Sequence, residues 1–428
     1  MPMKPNLDPA KPVWLVPGVR TPFARVDGGL AALDAVALSV PVAKAMGAKL
    51  AAGDRPDLVA WGTVASNLGW SNIAREVVLE AGLPGETPAF TTVLACSTSM
   101  VAAFESASML GGSLSLAMAG GVESMSRVQI GLSQGLSDWL RRLSQARTFG
   151  ERIDRFLAIR GADIRLHVPS VRNRATGKSM GEHCEEMAKA WRIPREAQDR
   201  LAYESHARAV KALAGGFFDD LVIPAGEATR DGIPRADTTP EKLAKLKPAF
   251  DRTAGTITAG NASPLTDGAA ALWVATQAGL SRLPAGPRAR LVDWEIAAVD
   301  LATEGLLMAP AYAIPRLLAR HGLGLADIHL WEIHEAFAAQ ALCNIAALES
   351  EAFVREKAGV AAALGAFPWD RLNPNGGSVA IGHPFGATGA RILSQAVKEL
   401  AAMGPGKRAV VSICADGGLG TVALLESA

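Results

Sequence analysis

Cysteines, aromatic residues and long apolar runs are all scarce in this chain. Its 428 residues include four cysteines, and aromatic residues make up 5% of the total. The cysteines stand far apart without a Cys-x-x-Cys pair, which argues against a disulfide scaffold and favours reduced thiols. No apolar run approaches the roughly 20 residues that a bilayer-spanning helix needs, and residues 1–12 lack the apolar core of a signal peptide. We therefore expect a soluble, cytoplasmic protein.

An excess of charge of either sign is also missing. Lys and Arg number 43 and Asp and Glu 42, which gives a formal net charge of +1 at pH 7. No global field therefore points to nucleic acid or to a membrane as a partner. The apolar content of 49% is enough to offset chain entropy on folding, which argues against disorder. The length predicts two or three domains.

Short apolar strands alternate with helices along most of the chain. Val13–Val16 and residues 58–62 have the composition of buried strands, and residues 30–50 and 73–81 that of helices. The last third repeats this arrangement with a strand at 328–333. Because such alternation is typical of parallel strands joined by helical crossovers, we expect an α/β fold with a mostly parallel sheet covered by helices.

One stretch interrupts this alternation. Residues 127–178 contain 11 Arg or Lys against 4 Asp or Glu, with apolar residues at roughly helical spacing. A second helical stretch, 182–214, is broken near Pro194, and residues 280–288 have the Pro and Gly content of a linker. We therefore predict an inserted, mostly helical loop domain. The predicted division is 1–126 with 248–283 for the N-terminal domain, 127–247 for the insert and 284–428 for the C-terminal domain.

A cysteine lies where a predicted strand gives way to a helix. Cys96 follows the β-branched run 90–95 and precedes a helical stretch at 100–110. Unpaired N–H groups and the helix dipole at such a position favour a thiolate, and hence a nucleophile. A buried structural cysteine is the commoner fate of a lone Cys. The position alone leaves both interpretations open.

A histidine lies in the segment 376–389, which holds five glycines in fourteen residues. Glycines allow close backbone approach to a ligand, and Pro384 stiffens the turn that bears His383. An imidazole of near-neutral pKa could take the proton from a thiol. The alternative is a Gly-rich turn with a hydrogen-bonded histidine. A phosphate-binding loop is disfavoured because the Lys-Ser/Thr ending is missing.

Two further residues follow short strands. Cys414 comes after the run 410–413, and acyl transfer between two thiols needs an acid/base in addition to the thiol that holds the acyl group. His334 follows another strand and could polarise a carbonyl directly or through water. Packed structural residues are the alternative for both. The spacing of His and Cys disfavours a metal site, and Cys184 and Cys343, on helical stretches, are interpreted as structural.

Together these segments resemble the thiolase family over nearly the whole chain. Six boxes occur in the family's order: Arg-Thr-Pro-Phe at 20–23, Cys96 ahead of a helix, Gly-Asn-Ala-Ser to Asp-Gly-Ala at 260–269, His-Glu-Ala-Phe at 334–337, the Gly-rich segment at 373–389, and Cys-x-x-Gly-Gly-x-Gly at 414–420. The resemblance implies the thiolase fold: two similar layered α/β domains, with mixed sheets and helices on both sides and between, plus an inserted helical loop domain.

The resemblance also implies roles for these residues. Cys96 would be acylated, His383 would take its proton, and Cys414 would exchange a proton with the CoA sulfur or the acetyl carbanion. His383 and a water held by His334 would form one oxyanion hole. The backbone N–H groups of Cys96 and Asp416 would form the other.

The resemblance further implies that coenzyme A is a substrate, with no permanently bound cofactor and no metal. Ser263, Met180 and Phe337 match family positions that contact CoA. Thiolases commonly form homodimers or homotetramers, so a homo-oligomer is expected. The activity implied is that of a 3-ketoacyl-CoA thiolase, an acyltransferase of fatty-acid β-oxidation. The alternatives are a biosynthetic, acetoacetyl-CoA-forming thiolase, a decarboxylating condensing enzyme, and a weakly active or non-catalytic CoA-binding subunit.

Two positions depart from the common family pattern. Most thiolases have Asn where this chain has His334, and the His form resembles the β-subunits of trifunctional β-oxidation complexes, whose hydratase/dehydrogenase α-subunit becomes a candidate partner. Asp416 stands where Gly or Ala is usual, and its carboxylate would oppose a developing oxyanion unless it points away. The insert at 127–178 has three interpretations. The preferred one is a solvated lid whose cations attract CoA phosphates. The second is a docking surface for the α-subunit, and the third is a contact with a membrane surface.

Overall fold

The structure, a computed structural model, describes residues 5–8, 10–167, 169 and 171–428. Residues 1–4 and 9 of the N-terminal segment discussed above lie outside the described residues. The strands are β1 Val13–Val16, β2 Ala24–Arg25, β3 Leu58–Thr63, β4 Ala89–Thr91, β5 Leu116–Glu123, β6 Gly131–Leu132, β7 Leu166–His167, β8 Thr266–Ala275, β9 Ala289–Ala298, β10 Leu330–Ile333, β11 Arg408–Ala415 and β12 Leu419–Ser427. The helices are α1 Ala35–Gly47, α2 Ile73–Glu80, α3 Thr98–Met109, α4 Gln134–Ser144, α5 Phe149–Leu157, α6 Met180–Ala190, α7 Arg195–Ala214, α8 Pro240–Ala244, α9 Gln277–Leu280, α10 Ala309–Arg320, α11 Ala338–Glu349, α12 Glu351–Glu356, α13 Ser378–Ile381 and α14 Thr388–Met403.

The main sheet continues through both halves of the chain. Its order is β10-β11-β12-β9-β1-β8-β5-β3-β4, and the short β2 pairs with β8. Outward from the antiparallel β1–β9 pair, each half has two antiparallel pairs followed by parallel pairing. An isolated parallel bridge from Trp331 to Leu372 extends the second half as β4 extends the first. The two halves therefore share one plan.

The expectation of a mostly parallel sheet is wrong, because antiparallel pairs predominate. β11 returns directly into β12 across Gly417 and Gly418, whose φ angles of 88° and 74° lie in the left-handed region that glycine adopts freely. A strand that returns through so tight a turn needs no helical crossover. The alternation of strands with helices does not reveal this hairpin, nor the pairing of β1 with β9 across the middle of the sheet.

Helices cover the outer faces of the sheet and fill the space between its halves. α1 and α2 pack on the first half around Trp61 and Trp273, and α10 and α11 pack on the second half around Trp331. α3 and α14 lie between the halves: they pack on each other, α3 on β3 and β5, and α14 on β10 and β11. The predicted fold, two similar layered α/β domains with helices on both sides and between, is confirmed.

The insert has an exposed part and a buried part. α4 and α5 contain no buried residue, and large apolar side chains such as Phe149 and Leu157 are exposed on α5. α6 and α7 are separated at Pro194, as predicted, and each buries side chains against the rest of the molecule. Among the described residues, no helix has the length and apolar character needed to cross a membrane.

We propose that the chain divides as the sequence predicts, into 1–126 with 248–283, 127–247 and 284–428. The element order supports the division, since the main sheet is interrupted between Glu123 and Thr266. Positions 168 and 170 of the insert lie outside the described residues.

Candidate active site

Cys96 lies in a strained turn between β4 and α3. The β-branched run does not continue as a strand up to the cysteine, because a 3-10 turn at Ala95–Ser97 intervenes. Ala95 has a φ of 43°, in the left-handed region, which costs a non-glycine residue on the order of 1 kcal/mol. Thr98 holds the turn: its hydroxyl accepts from Leu94 N at 2.9 Å and donates to Ala95 O at 2.8 Å.

The surroundings of the Cys96 sulfur keep it protonated. The backbone N–H groups of Asp416 and of Cys96 itself lower the pKa of the thiol. Although the residue is partly exposed, burial of the thiol, followed by the carboxylates of Asp416 and Glu123, raises its pKa to about 12. The expectation that the helix favours a thiolate is therefore wrong for the resting site, because loss of solvent outweighs the helix dipole. A nucleophile with such a thiol would need a base.

Glu123 ties three segments of the site together. Its carboxylate, at the end of β5, accepts from Thr63 Oγ1 at 3.0 Å and from the N–H groups of Val64 and Ala65 at 3.1 and 2.9 Å. It also accepts from Gly386 N at 3.2 Å, and burial raises its pKa. The loop around Gly386 is thereby fixed against β3 and β5.

Glycines let this loop approach the core closely. A Cβ on Gly389 would lie 2.3 Å from Met100 N on α3, and a Cβ on Gly121 would lie 2.1 Å from Gly386 O. Side chains at these positions would push the loop away from α3 and β5. The close approach predicted for the Gly-rich segment is thus made to protein backbone, and the turn at 385–387 packs against the turn at 95–97.

His383 presents a lone pair to the site. Its Nδ1 lies 2.6 Å from Thr388 Oγ1, and the Thr388 hydroxyl donates to Pro384 O at 2.8 Å. With that proton committed, Thr388 Oγ1 accepts from Nδ1–H, which leaves Nε2 unprotonated and without a partner among the described residues. Burial, and then Arg391, lower the pKa of His383 to about 3. The near-neutral pKa expected from sequence is therefore wrong, and the ring is neutral.

His334 stands beside His383, with the ring centroids 4.1 Å apart. It follows β10, and its backbone N–H donates to Ser412 O on β11 at 2.9 Å. Its Nδ1 lies 2.8 Å from Ser378 Oγ, while its buried Nε2 has no partner in the described parts of the chain. Burial, then His383 and Arg391, lower its pKa well below the ordinary value. The site therefore holds two neutral imidazoles, each with an unpartnered Nε2.

Cys414 lies near the end of β11, close enough to Cys96 for the two thiols to affect each other. Burial, and then Cys96, raise the pKa of Cys414. The two segments are linked, since Ser97 Oγ donates to Ile413 O at 3.5 Å and accepts from Thr421 Oγ1 at 2.9 Å. The structure thus brings the two predicted catalytic cysteines to one site.

The remaining cysteines are buried in helices. Cys184 on α6 and Cys343 on α11 have no exposed surface, and all four cysteines are free thiols. In the part of the chain that the structure describes, no three His, Cys, Asp or Glu side chains are grouped so as to hold a metal ion.

The three residues predicted to contact CoA lie on neighbouring segments. Ser263 donates through its backbone N–H and its hydroxyl to Ala336 O, each at 2.9 Å. Phe337 follows directly in the chain. Met180 is the first residue of α6 and packs, like Phe337, with the apolar cluster that includes Cys414. Ser263 is therefore tied to the residue before Phe337, and Met180 and Phe337 belong to the same apolar cluster as the second cysteine.

Sequence patterns miss several polar residues that build the site. Ser378 and Thr388 lie inside the Gly-rich segment that carries His383, and a search for hydroxyl groups near each histidine would have singled out Thr388. Glu123 and Arg391 belong to no local motif. The partners of Glu123 are distant in the chain. Arg391 bonds to Gln395, one helical turn away, and to Ser378, 13 positions away, a spacing that no motif rule marks.

Comparisons with known proteins agree with this geometry. A family model described as the thiolase N-terminal domain matches residues 13–278, and the thiolase C-terminal domain model matches residues 285–427. A protein named 3-ketoacyl-CoA thiolase from Citrobacter koseri is 40% identical over 426 residues, which is 97% of each chain. One of the same name from Yersinia enterocolitica is 39% identical over 424 residues, 97% of this chain and 96% of its own length.

A solved structure gives the same result at the level of the fold. The acetyl-CoA acetyltransferase of Bacillus anthracis superposes with a TM-score of 0.78 at 32% sequence identity, covering 98% of this chain and 99% of its own. Both family models and the relatives span nearly the whole chain, including both cysteines and both histidines of the site. The chain therefore belongs to the thiolase family.

Proposed function

We propose that this thiolase is a 3-ketoacyl-CoA thiolase, which uses CoA to cleave a 3-ketoacyl-CoA into acetyl-CoA and a shortened acyl-CoA. The observation that carries the proposal is the protonated thiol of Cys96, on a turn that packs against the loop after His383, an imidazole whose Nε2 holds a lone pair. Relatives at 39% and 40% identity bear this name.

In the first stage, the Cys96 sulfur attacks the 3-keto carbon while His383 Nε2 takes the thiol proton. The carbonyl π pair moves to oxygen, where the N–H groups of Cys96 and Asp416 stabilise the charge. Collapse of this adduct breaks the C2–C3 bond and leaves the acyl group on Cys96. The bonding pair passes to the enolate of acetyl-CoA, which Cys414 protonates at C2.

The second stage returns each proton. Cys414, now a thiolate, takes the proton of the incoming CoA thiol, and the CoA sulfur attacks the acyl carbon. The adduct expels the Cys96 sulfur, which recovers its proton from His383, a transfer that the low pKa of this imidazole favours. Between the two stages, His383 carries the proton that it took from Cys96. Its Nε2–H then donates a hydrogen bond to the enolate oxygen, and a group at His334 stabilises the same oxygen.

The same groups run the reverse condensation, since each step is reversible. An acetoacetyl-CoA-forming thiolase is therefore the second candidate, and the name of the Bacillus anthracis structure, an acetyl-CoA acetyltransferase, is the observation that supports it. The two candidates share one site and differ in the acyl chain that enters it.

We infer that CoA thioesters lie against Ser263, Met180 and Phe337, with CoA as substrate and no permanently bound cofactor. We further propose a homo-oligomer, with a hydratase/dehydrogenase α-subunit as an additional partner. The exposed Phe149 and Leu157 support a docking surface on α4 and α5 over a solvated lid, because a lid would keep its apolar face covered. Co-purification with residues 134–157 replaced by a short linker tests this part alone.

Steady-state thiolysis tests the function. We expect turnover of a series of 3-ketoacyl-CoA substrates, lost in Cys96→Ala and retained in Cys343→Ala, which removes a buried thiol of α11 that has no part in the proposed chemistry. Turnover that rises with chain length supports the 3-ketoacyl-CoA thiolase, and turnover confined to acetoacetyl-CoA supports the biosynthetic alternative. A non-catalytic CoA-binding subunit would show no turnover that depends on Cys96. A decarboxylating condensing enzyme would act on malonyl thioesters instead.

A further inference from the structure

Arg391 is a buried cation with an unusual partner. Its side chain lies on α14 with 3% of the residue exposed. Its hydrogen bonds, within the described residues, go to Ser378 Oγ at 2.6 Å and to Gln395 Oε1 at 3.5 Å, and not to a carboxylate. Burying a guanidinium without a direct ion pair is costly. Its place beside Ser378 therefore calls for an explanation.

The hydrogen-bonding capacities of the groups assign the protons. A guanidinium can only donate, so Ser378 Oγ accepts from Arg391. The single Ser378 hydroxyl proton then has His334 Nδ1, at 2.8 Å, as its acceptor. The opposite tautomer would leave that hydroxyl proton buried without an acceptor among the described residues, which is the costlier arrangement. His334 Nδ1 therefore accepts, and its proton lies on Nε2.

We propose that Arg391, acting through Ser378, is a positioning residue that fixes His334 as the Nε2–H tautomer. The proposal rests on the proposed function, in which a group at His334 helps His383 to stabilise the enolate oxygen of acetyl-CoA, and it identifies that group as the Nε2–H of His334. His383 has the opposite tautomer, fixed by Thr388. The two rings, 4.1 Å apart, thus present one N–H and one lone pair to the same substrate.

The charge of Arg391 acts in the same direction as its hydrogen bond. It is among the causes that lower the pKa of both histidines, so both rings stay neutral and keep distinct tautomers. The Glu335 carboxylate would raise the pKa of His334 if it contacted the ring. It accepts hydrogen bonds from Asn373 and Ser205 instead. The other charged groups that act on Arg391 are Glu332, Arg20 and Asp231.

A purely structural role for Arg391 is the competing explanation. The cation would then balance the buried carboxyls Glu332 and Glu335, and Ser378 would be incidental. Such a role predicts a loss of stability on substitution but no change in the proton position on His334. The tautomer itself is therefore the quantity to measure.

The test is ¹⁵N NMR of the free protein with labelled histidine imidazoles, in which the His334 signals are assigned by their loss in His334→Asn. We expect an unprotonated Nδ1 and a protonated Nε2 for His334, and the reverse for His383. Ser378→Ala should make the two His334 nitrogens average between tautomers. It should also lower kcat of thiolysis about tenfold to a hundredfold with little change in KM, as for loss of one aligned donor. Ser378→Thr, which keeps the hydroxyl, should restore both.

Arg391→Met provides a second variant, and Ser394→Ala a matched control. Ser394 is a buried serine of the same helix whose hydroxyl accepts from Gly18 N, away from both histidines. Arg391→Met should alter the His334 signals like Ser378→Ala, and Ser394→Ala should leave them and kcat unchanged. A protonated His334 Nδ1 in the unmodified protein, or His334 signals unmoved by Ser378→Ala, overturns the proposal. Neither NMR outcome depends on turnover. The thiolysis assay tests the proposed function separately, and activity that survives Cys96→Ala would contradict it.

Discussion

Asn173 Nδ2 donates a hydrogen bond of 2.8 Å to Asp416 Oδ1. The same carboxylate oxygen accepts from Gly417 N at 2.7 Å. Asn173 is itself held, because its Oδ1 accepts from the backbone N–H groups of Ala175 and Thr176 at 3.0 and 3.1 Å. The insert therefore holds the Asp416 carboxylate, at the position where the thiolase pattern has Gly or Ala, while the Asp416 backbone N–H still lowers the pKa of the Cys96 thiol.

We predict that Asn173→Ala frees the Asp416 carboxylate and slows the reaction of Cys96. The Asp416 charge already raises the pKa of the Cys96 thiol, and a carboxylate able to turn toward the sulfur raises it further. The rate of Cys96 alkylation by iodoacetamide near pH 8, followed by mass spectrometry, should fall severalfold, since one pKa unit is a factor of about ten in thiolate.

The double variant decides whether the effect passes through Asp416. Asp416→Gly removes the charge and keeps the backbone N–H, so alone it should speed alkylation. In the Asn173→Ala background it should restore the rate at least to that of the unmodified protein. If Asn173→Ala is equally slow with Asp416 and with glycine at 416, the carboxylate is not the cause.

We predict that kcat/KM for the 3-ketoacyl-CoA substrate is nearly flat from about pH 5 to pH 9. This quantity reports the acylation stage in the free enzyme. Burial lowers the pKa of His383 to about 3, so the basic form is lost only as the pH falls toward that value. Burial raises the pKa of Cys96 to about 12, so no rise with thiolate formation occurs in the neutral range.

An acid limb near pH 6.5 would contradict this prediction, because it would mean an imidazole of ordinary pKa. Arg391→Met removes a cation that opposes protonation of His383, so the acid limb should move to higher pH in that variant. Thr388→Val is the control for orientation: it removes the acceptor of His383 Nδ1–H, and it should lower kcat/KM across the whole range.

Features of the fold that depend on a single segment of the chain could be predicted from the sequence. The strand Val13–Val16 and the helix break at Pro194 follow from local composition and from the chemistry of proline. The meeting of Cys96, His383 and Cys414 followed only from the resemblance to a family, since no local pattern joins residues so far apart in the chain.

The protonation of the site could not be predicted in the same way. The pKa values of Cys96 and His383 depend on how much water the packed segments exclude, and this outweighs the helix dipole that the sequence does indicate. The orientation of Asp416 depends on Asn173, from a different domain of the proposed division. The predominance of antiparallel strands depends on the glycine turn between β11 and β12 and on the β1–β9 pairing. Neither feature changes the order of strands and helices along the chain, on which the prediction of parallel strands is based.

We predict that Glu399→Gln raises the free energy of unfolding, relative to that of the unmodified protein, by more at pH 8 than at pH 5. Burial raises the pKa of Glu399 to about 7, and that of its neighbour Glu332 well above the ordinary value. Because the pKa is higher in the folded state than in the unfolded state, the Glu399 carboxyl costs the folded state no stability below about pH 4.5. Its ionisation then destabilises the folded state progressively as the pH rises to about 7. Glutamine cannot ionise and can still accept from Asn375, so this loss, up to about 3 kcal/mol for Glu399, should disappear.

Urea unfolding at pH 5 and pH 8 measures the difference. The exposed Glu86→Gln serves as the control, and its stability should follow that of the unmodified protein at both values. An equal change at both pH values in Glu399→Gln would mean that the carboxyl does not ionise within this range in the folded state.

We predict that Cys414→Ala separates the two stages of the reaction. An activated acyl ester, such as p-nitrophenyl acetate, has a leaving group that needs no proton, so Cys96 and His383 suffice to form the acyl-enzyme. Without Cys414, no thiol removes the proton of incoming CoA, and the acyl group stays on Cys96. Intact-mass measurement should show the acetylated protein persisting in the presence of CoA, whereas the unmodified protein returns to its starting mass.

Two variants make this result specific. Cys96→Ala should form no adduct, and Cys343→Ala should acylate and transfer to CoA like the unmodified protein, because that thiol is buried on α11. Transfer to CoA at the ordinary rate in Cys414→Ala would remove the acid/base role from this cysteine. Failure of Cys414→Ala to acylate at all would mean instead that the second thiol is needed to shape the site of the first, since the two lie close enough for Cys96 to raise the pKa of Cys414.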